Sequence, residues 1–171
     1  MQYKCALMGV GRTGKTTYIL KLLGIPTQTY TPTVGVAIHQ LPLQYEKNGQ
    51  VNSLTINIWD CAGRSQLKGP REIYYSNCHA AIIMFSSIKS LHVAIRYLHD
   101  FRTIVGTQRS VIFVWNKWTE DDPHNINTQA LVDKLIPSEC HLFKINTKTD
   151  YNCWAPIVNL IETLTNNKSL T

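Results

Sequence analysis

The chain has 171 residues, a length that suits one domain and is too short for two ordinary ones, so residues 1–171 are expected to form a single unit around one core. At 44% hydrophobic and 16% charged, with nine Gly and seven Pro, its composition is that of a globular protein and excludes a disordered, collagen-like or coiled-coil chain. Seventeen Lys and Arg against eleven Asp and Glu give a formal charge of +6, yet no two basic residues are adjacent, which argues against a polybasic nucleic-acid arm.

In chain order, Tyr3 to Met8 is a short apolar run that predicts a strand. A glycine-rich turn follows, then Lys15 to Leu23, whose Tyr18, Ile19, Leu22 and Leu23 recur at helical spacing. From Val34 to Tyr45 the apolar residues alternate in two halves, Val34, Val36, Ile38 and then Leu41, Leu43, Tyr45, out of phase with each other and with Pro42 inside. An edge strand with a bulge accommodates both features. Lys47-Asn48-Gly49 signals a turn, and Leu54, Ile56 and Ile58 alternate after it, so the two runs are expected to pair as an antiparallel hairpin.

From Ala80 the pattern changes. Ala80 to Phe85 and Ser110 to Trp115 are unbroken apolar runs, as expected of central strands covered on both faces. Between them Leu91, Ile95, Leu98, Phe101 and Val105 fall on one helical face that Gly106 ends. A helix around Thr128 to Leu135, a strand around His141 to Ile145 and a helix from Ile157 to Leu164 complete the alternation. The sum is an α/β fold with a mostly parallel sheet of six strands, one of them an antiparallel edge strand.

Cys5, Cys61, Cys78, Cys140 and Cys153 are an odd set with no C-x-x-C pair, and no apolar signal segment follows a basic start, which points to a reducing compartment. No apolar run approaches the roughly 20 residues that span a bilayer, and the last five residues carry no prenylation cysteine, so no membrane attachment is expected.

Gly9-Val-Gly-Arg-Thr-Gly-Lys-Thr16 fits G-x-x-x-x-G-K-[ST], and it lies between a predicted strand and a predicted helix, the context the motif requires. Glycines at 9, 11 and 14 let backbone N–H groups turn toward one point, where the helix N-terminus adds partial positive charge for a β-phosphate. Lys15 neutralises β- and γ-phosphate oxygens in such a loop, and the Thr16 hydroxyl ligates Mg²⁺. The plainer alternative is a glycine-rich turn with a chance lysine. The expected architecture is therefore the three-layer P-loop NTPase fold.

Together, that loop, Tyr30-Thr-Pro-Thr-Val-Gly35, Trp59-Asp-Cys-Ala-Gly63 and Asn116-Lys117 resemble the small GTPases of the Ras superfamily in order and distance, over nearly the whole chain. Within it the chain is most similar to the Ran family of nuclear-transport GTPases, through Gly35-Val-Ala-Ile-His39, Ile58 to Gly63, Tyr74-Tyr75 and Ala80 to Phe85. The resemblance implies one G-domain over 1–171 that binds GTP or GDP with Mg²⁺. It assigns the nucleotide to Gly9, Gly11, Arg12, Thr13, Gly14, Lys15, Thr16, Thr17, Tyr30, Thr33, Gly63, Asn116, Lys117, Thr119, Asn146, Thr147 and Lys148, and the metal to Thr16, Thr33 and Asp60. Thr33 and Gly63 would sense the γ-phosphate, so that hydrolysis releases both segments. Taken singly, Thr33 is also an ordinary loop residue and Asp60 a turn residue.

Several positions depart from the family pattern. Where the family has a glutamine that orients the attacking water, this chain has Arg64, which cannot accept a hydrogen bond from water. Gln66 substitutes only if the loop rearranges, and Arg64 either stabilises charge on the γ-phosphate or is a solvated arginine. The guanine-reading carboxylate of N-K-x-D is replaced by Thr119, whose hydroxyl cannot grip both donors of the base. Losing such charge-assisted bonds costs about 1.5–3 kcal/mol each. Glu120, Asp121 or Asp122 either supplies a carboxylate or is a solvated loop residue, and Pro26 stands where relatives stack an aromatic on the base. The family's S-A-K becomes Asn146-Thr147-Lys148, a mild change because the backbone N–H survives.

The expected function is a nucleotide-dependent switch with slow intrinsic hydrolysis and relaxed base selectivity. Alternatives are a hydrolysis-deficient scaffold that mimics the Ran surface, less favoured by the intact Mg²⁺ set, and, weaker still, a P-loop kinase, which would need a lid and an acceptor site within a chain already spent on switches. The implied partners are guanine nucleotide and transport receptors, an exchange factor and a GTPase-activating protein of the Ran type. A monomer in cytoplasm or nucleus is expected, with no nucleic acid or membrane partner. Trp115, Trp118 and Trp154 are weighed as packing residues ahead of a partner surface, and the six histidines show no metal spacing.

Overall fold

The computed structural model describes residues 1–26, 31–63, 71–117 and 123–166, with the side chains at 71 and 123–127 outside that description. Its elements are β1 (Gln2–Met8), α1 (Lys15–Leu22), β2 (Val36–Lys47), β3 (Gln50–Cys61), α2 (Arg71–Tyr75), β4 (Ala80–Phe85), α3 (Ile88–Val105), β5 (Ser110–Trp115), α4 (Pro123–Leu135), β6 (His141–Lys144) and α5 (Ala155–Asn166). The strands form one sheet in the order β2-β3-β1-β4-β5-β6. All neighbouring pairs are parallel except β2 with β3, so the antiparallel strand lies at the edge as expected.

Period-2 alternation distributes the sheet's side chains between two cores. Cys5, Leu7, Ile56, Ile58, Ile82 and Met84 meet Tyr18 and Ile19 of α1 and Ile157 and Leu160 of α5 on one face. Ala6, Met8, Ala81, Ile83, Phe85 and Phe113 meet Leu91, Leu98 and Phe101 of α3 and Val132 of α4 on the other. This explains why β4 reads as continuous hydrophobicity: every one of its residues is buried, whichever way it points.

The bulge expected in β2 does not occur. Its pairing with β3 runs without interruption from Val36 opposite Cys61 to Lys47 opposite Gln50. The phase slip has another cause. Leu41, Leu43 and Tyr45 face α1 and α5, whereas Val36 packs on the opposite core and Ile38 is left exposed. Pro42 is tolerated because β2 has a neighbour on one side alone. At the hairpin, Asn48 and Gly49 have φ of 55° and 72°, the left-handed pair that matches the twist of the strands.

Helix ends follow local chemistry. Ser87 and Ser90 form a reciprocal capping box at the start of α3, and the Gly106 N–H closes its end on the Arg102 carbonyl at 2.9 Å. α4 starts earlier than its periodic residues suggest, with Pro123 in the first turn where a missing N–H costs nothing. Trp115 is buried and stacked on Phe85, Trp154 is half exposed, and Trp118 lies outside the described residues. Among the described residues no helix is long and apolar enough to cross a membrane, and no cluster of His, Cys, Asp and Glu could hold a metal ion by itself.

Candidate functional site

Two connections bring the site together at the carboxyl ends of the strands: β1 leads into α1 on one side, and its neighbours β3 and β4 end beside it. The turn from Met8 to Lys15 is shaped by glycines that cannot be replaced. Gly9 has φ of 144° and a Cβ there would run into the Met84 carbonyl, while Gly14, at φ of 91°, faces the Asn116 amide. A cavity of about 420 Å³ opens over this turn.

Lys15 lies in the floor of the cavity, buried, with its ammonium donating to the carbonyls of Gly9 at 2.8 Å and Val10 at 3.1 Å. Burial lowers its proton affinity, and the nearby Asp60 opposes that effect. Asp60 has no exposed surface. Burial raises its pKa above the ordinary carboxylate value, against hydrogen bonding from Thr16 and attraction to Lys15.

Three oxygens converge beside Lys15. Thr16 Oγ1 donates to Asp60 Oδ2 at 2.6 Å, Thr33 Oγ1 lies 3.4 Å from the same oxygen, and the two hydroxyls are 3.2 Å apart. The second carboxylate oxygen, Asp60 Oδ1, is buried without a partner. A compact all-oxygen set with an unsatisfied carboxylate oxygen fits a hard divalent cation such as Mg²⁺.

The far wall is tied to the phosphate loop by one side chain. Asn116 donates through Nδ2 to the Thr13 carbonyl at 2.9 Å and accepts the Thr147 N–H on Oδ1 at 3.2 Å. Lys117 Nζ donates to the Arg12 carbonyl at 3.3 Å. Gly63 closes the opposite side: its carbonyl accepts the Gly11 N–H at 3.2 Å, so close to the loop that any Cβ would meet the backbone of Val10 and Gly11.

Of the sequence-predicted residues, Gly11, Arg12, Gly14, Lys15, Thr16, Thr17, Thr33, Gly63, Asn116, Lys117, Thr147 and Lys148 line the cavity, and Asp60 lies beneath it. Gly9, Thr13 and Asn146 shape the site from behind: Thr13 Oγ1 donates to the Val10 carbonyl, and Asn146 Oδ1 accepts the Lys148 N–H. Tyr30, Arg64, Gln66, Thr119, Glu120, Asp121 and Asp122 lie outside the described residues. Pro26 is exposed and lines no part of the cavity. Sequence reasoning missed Pro32 as a lining residue, because a lone proline in a loop carries neither charge nor periodicity.

Residues 4–119 match the family described as Roc: Ras of Complex, Roc, domain of DAPkinase. The chain is 29% identical over 174 residues to the GTP-binding nuclear protein GSP1 of Encephalitozoon cuniculi (strain GB-M1), covering 99% of this chain and 79% of that protein. It is 29% identical over 189 residues to the GTP-binding nuclear protein Ran of Giardia intestinalis, covering 99% and 81%.

Proposed function

Because the chain belongs to the Roc family of Ras-type GTPase domains, as a diverged Ran-like small GTPase, we propose that it is a GTP-binding molecular switch with slow intrinsic hydrolysis and relaxed base selectivity. The observation that carries this reading is the convergence of Thr16, Thr33 and Asp60 oxygens, with the buried Oδ1 free, at one end of a cavity over the phosphate loop.

In this reading residues 1–171 act as one G-domain. Thr16, Thr33 and Asp60 hold Mg²⁺, which when bound neutralises β- and γ-phosphate oxygens. Lys15 leaves its loop carbonyls for the same phosphates. Thr33 and Gly63 tie the two segments on either side of the cavity to the triphosphate, so both are released when its terminal phosphate is lost. Asn116 fixes the distance between the phosphate loop and the wall formed by Thr147 and Lys148, and Lys148 is the lysine that would lie along the base. Thr119 in place of the guanine-reading carboxylate relaxes selectivity, and Arg64 in place of glutamine slows hydrolysis. The similarity to GTP-binding nuclear proteins supports transport receptors, an exchange factor and a GTPase-activating protein of the Ran type as partners, and a place in cytoplasm or nucleus.

Mass spectrometry of nucleotide released from the purified protein tests the reading. Bound guanine nucleotide in wild type, with at least about tenfold weaker binding after Lys15→Ala or Thr16→Ala, roughly 1.4 kcal/mol, is the expected result. Empty wild type, or variants that titrate like it, would favour a nucleotide-independent scaffold that mimics the Ran surface.

A further inference from the structure

Six non-glycine residues among the described ones have positive φ, and four of them are Asn or Asp, side chains that tolerate the left-handed region. The other two are Arg12, at 66°, and Lys117, at 65°. Both are cationic, both line the nucleotide cavity, and the Lys117 ammonium holds the Arg12 carbonyl. A glycine at position 12 would take the same backbone conformation without steric penalty. A strained, long, charged side chain at the rim of a binding cavity is therefore a functional signal rather than a packing one.

The surroundings of Arg12 agree. Its side chain is exposed, and no hydrogen bond or ion pair from its guanidinium is formed with a described residue. Lys15 is buried against its two loop carbonyls and reaches a ligand from below. Among the described residues, the basic ones lining the cavity are Arg12, Lys15, Lys117 and Lys148, and no acidic one lines it. Arg12 is the cation that the phosphate loop itself presents on the solvent side, where Gly11 and Gly14 leave no side chain in the way. A planar guanidinium pairs with two phosphate oxygens at once, which a lysine does not.

We infer that Arg12 is a phosphate clamp: a cation, supplied by the loop, that pairs with the polyphosphate of the bound nucleotide and slows its release. The inference rests on the nucleotide-switch reading above and adds a residue that controls how long the switch stays loaded. Because the pair is exposed, ionic strength screens it.

The experiment loads wild type, Arg12→Ala, Arg12→Gly and Arg12→Lys with methylanthraniloyl-labelled GDP or GTP and follows release into excess unlabelled nucleotide at low and high salt. Arg12→Ala and Arg12→Gly should both release about fivefold faster at low salt, the scale of an exposed charge pair, with Arg12→Lys between them and wild type. High salt should narrow the difference. Arg12→Gly removes the charge while relieving the backbone, so its melting temperature should be no lower than that of wild type. Release from Arg12→Gly at the wild-type rate, or acceleration that does not depend on salt, overturns the clamp. Wild type that retains neither nucleotide overturns the switch reading and the clamp with it, a result distinct from equal release rates.

Discussion

Thr16 and Asp60 meet across 44 residues of chain at 2.6 Å, and the hydroxyl occupies Oδ2 while Oδ1 of the same buried carboxylate is left unpaired. A buried unpaired carboxylate oxygen is costly, and beside two hydroxyls at the floor of a cavity a bound cation accounts for it.

Asp60→Asn should therefore lose metal-dependent retention of nucleotide while keeping the fold. An amide oxygen can still accept from Thr16, but it brings no charge to Mg²⁺. Nucleotide release from the variant in Mg²⁺ should be as fast as release from wild type in chelator, at least about tenfold above wild type in Mg²⁺. Equal rates for the two proteins in Mg²⁺ would remove Asp60 from the metal set.

Asn116→Ala should be the most destabilising single change in the cavity wall. It leaves the Thr13 carbonyl and the Thr147 N–H without their partner at a position 1% exposed. Stranding two buried backbone groups costs about 2–6 kcal/mol, which urea unfolding of the nucleotide-free protein would measure. A loss below about 0.5 kcal/mol would mean that water replaces the amide.

Much of this arrangement is legible in the chain because its local signals agree. The run from Tyr3 to Leu23 carries strand alternation, a phosphate loop and helical spacing in the one order that builds the turn under the cavity. The phase slip in β2 misleads because apolar residues on both faces of one strand look like a bulge when neither core is known. α2 has five residues, too few for a helical period to register. At the site, residue types mark Thr16, Thr33 and Asp60, yet the orphan Oδ1 depends on what covers it. The strain at Arg12 depends on a φ angle, which no composition or spacing displays.

Base selectivity should be relaxed, since Thr119 cannot accept both guanine donors. A competition among GTP, ITP, XTP and ATP reads this directly. Preference for GTP over ATP above about 10⁵-fold, some 7 kcal/mol, would show that another group has restored the reading.

Intrinsic hydrolysis should be slow and should rise on Arg64→Gln, which restores a side chain able to orient water. Single-turnover rates of wild type and variant decide it. An unchanged or lower rate in Arg64→Gln would clear Arg64 as the defect.

The thiols supply a pH prediction away from the cavity. All five cysteines are free and buried. Cys78, 1% exposed, is pushed up from 9.0 to about 11, first by burial, with Lys4 and Arg109 opposing. A thiol whose folded pKa is raised holds its proton more tightly than the unfolded chain does, so its contribution is fully present below pH 9 and lost as pH rises toward about 11. Each such group tilts stability by at most about 1.4 kcal/mol per pH unit within that window. Cys78→Ala should flatten the fall in unfolding free energy between pH 9 and 11, at the cost of a small cavity that lowers stability equally at every pH. At pH 8 an aromatic disulfide reagent should find no fast-reacting thiol in the native protein and all five after denaturation. A rapidly labelled cysteine in the native state, or a pH profile unchanged by Cys78→Ala, would show that the sheet opens at this end more readily than its packing implies.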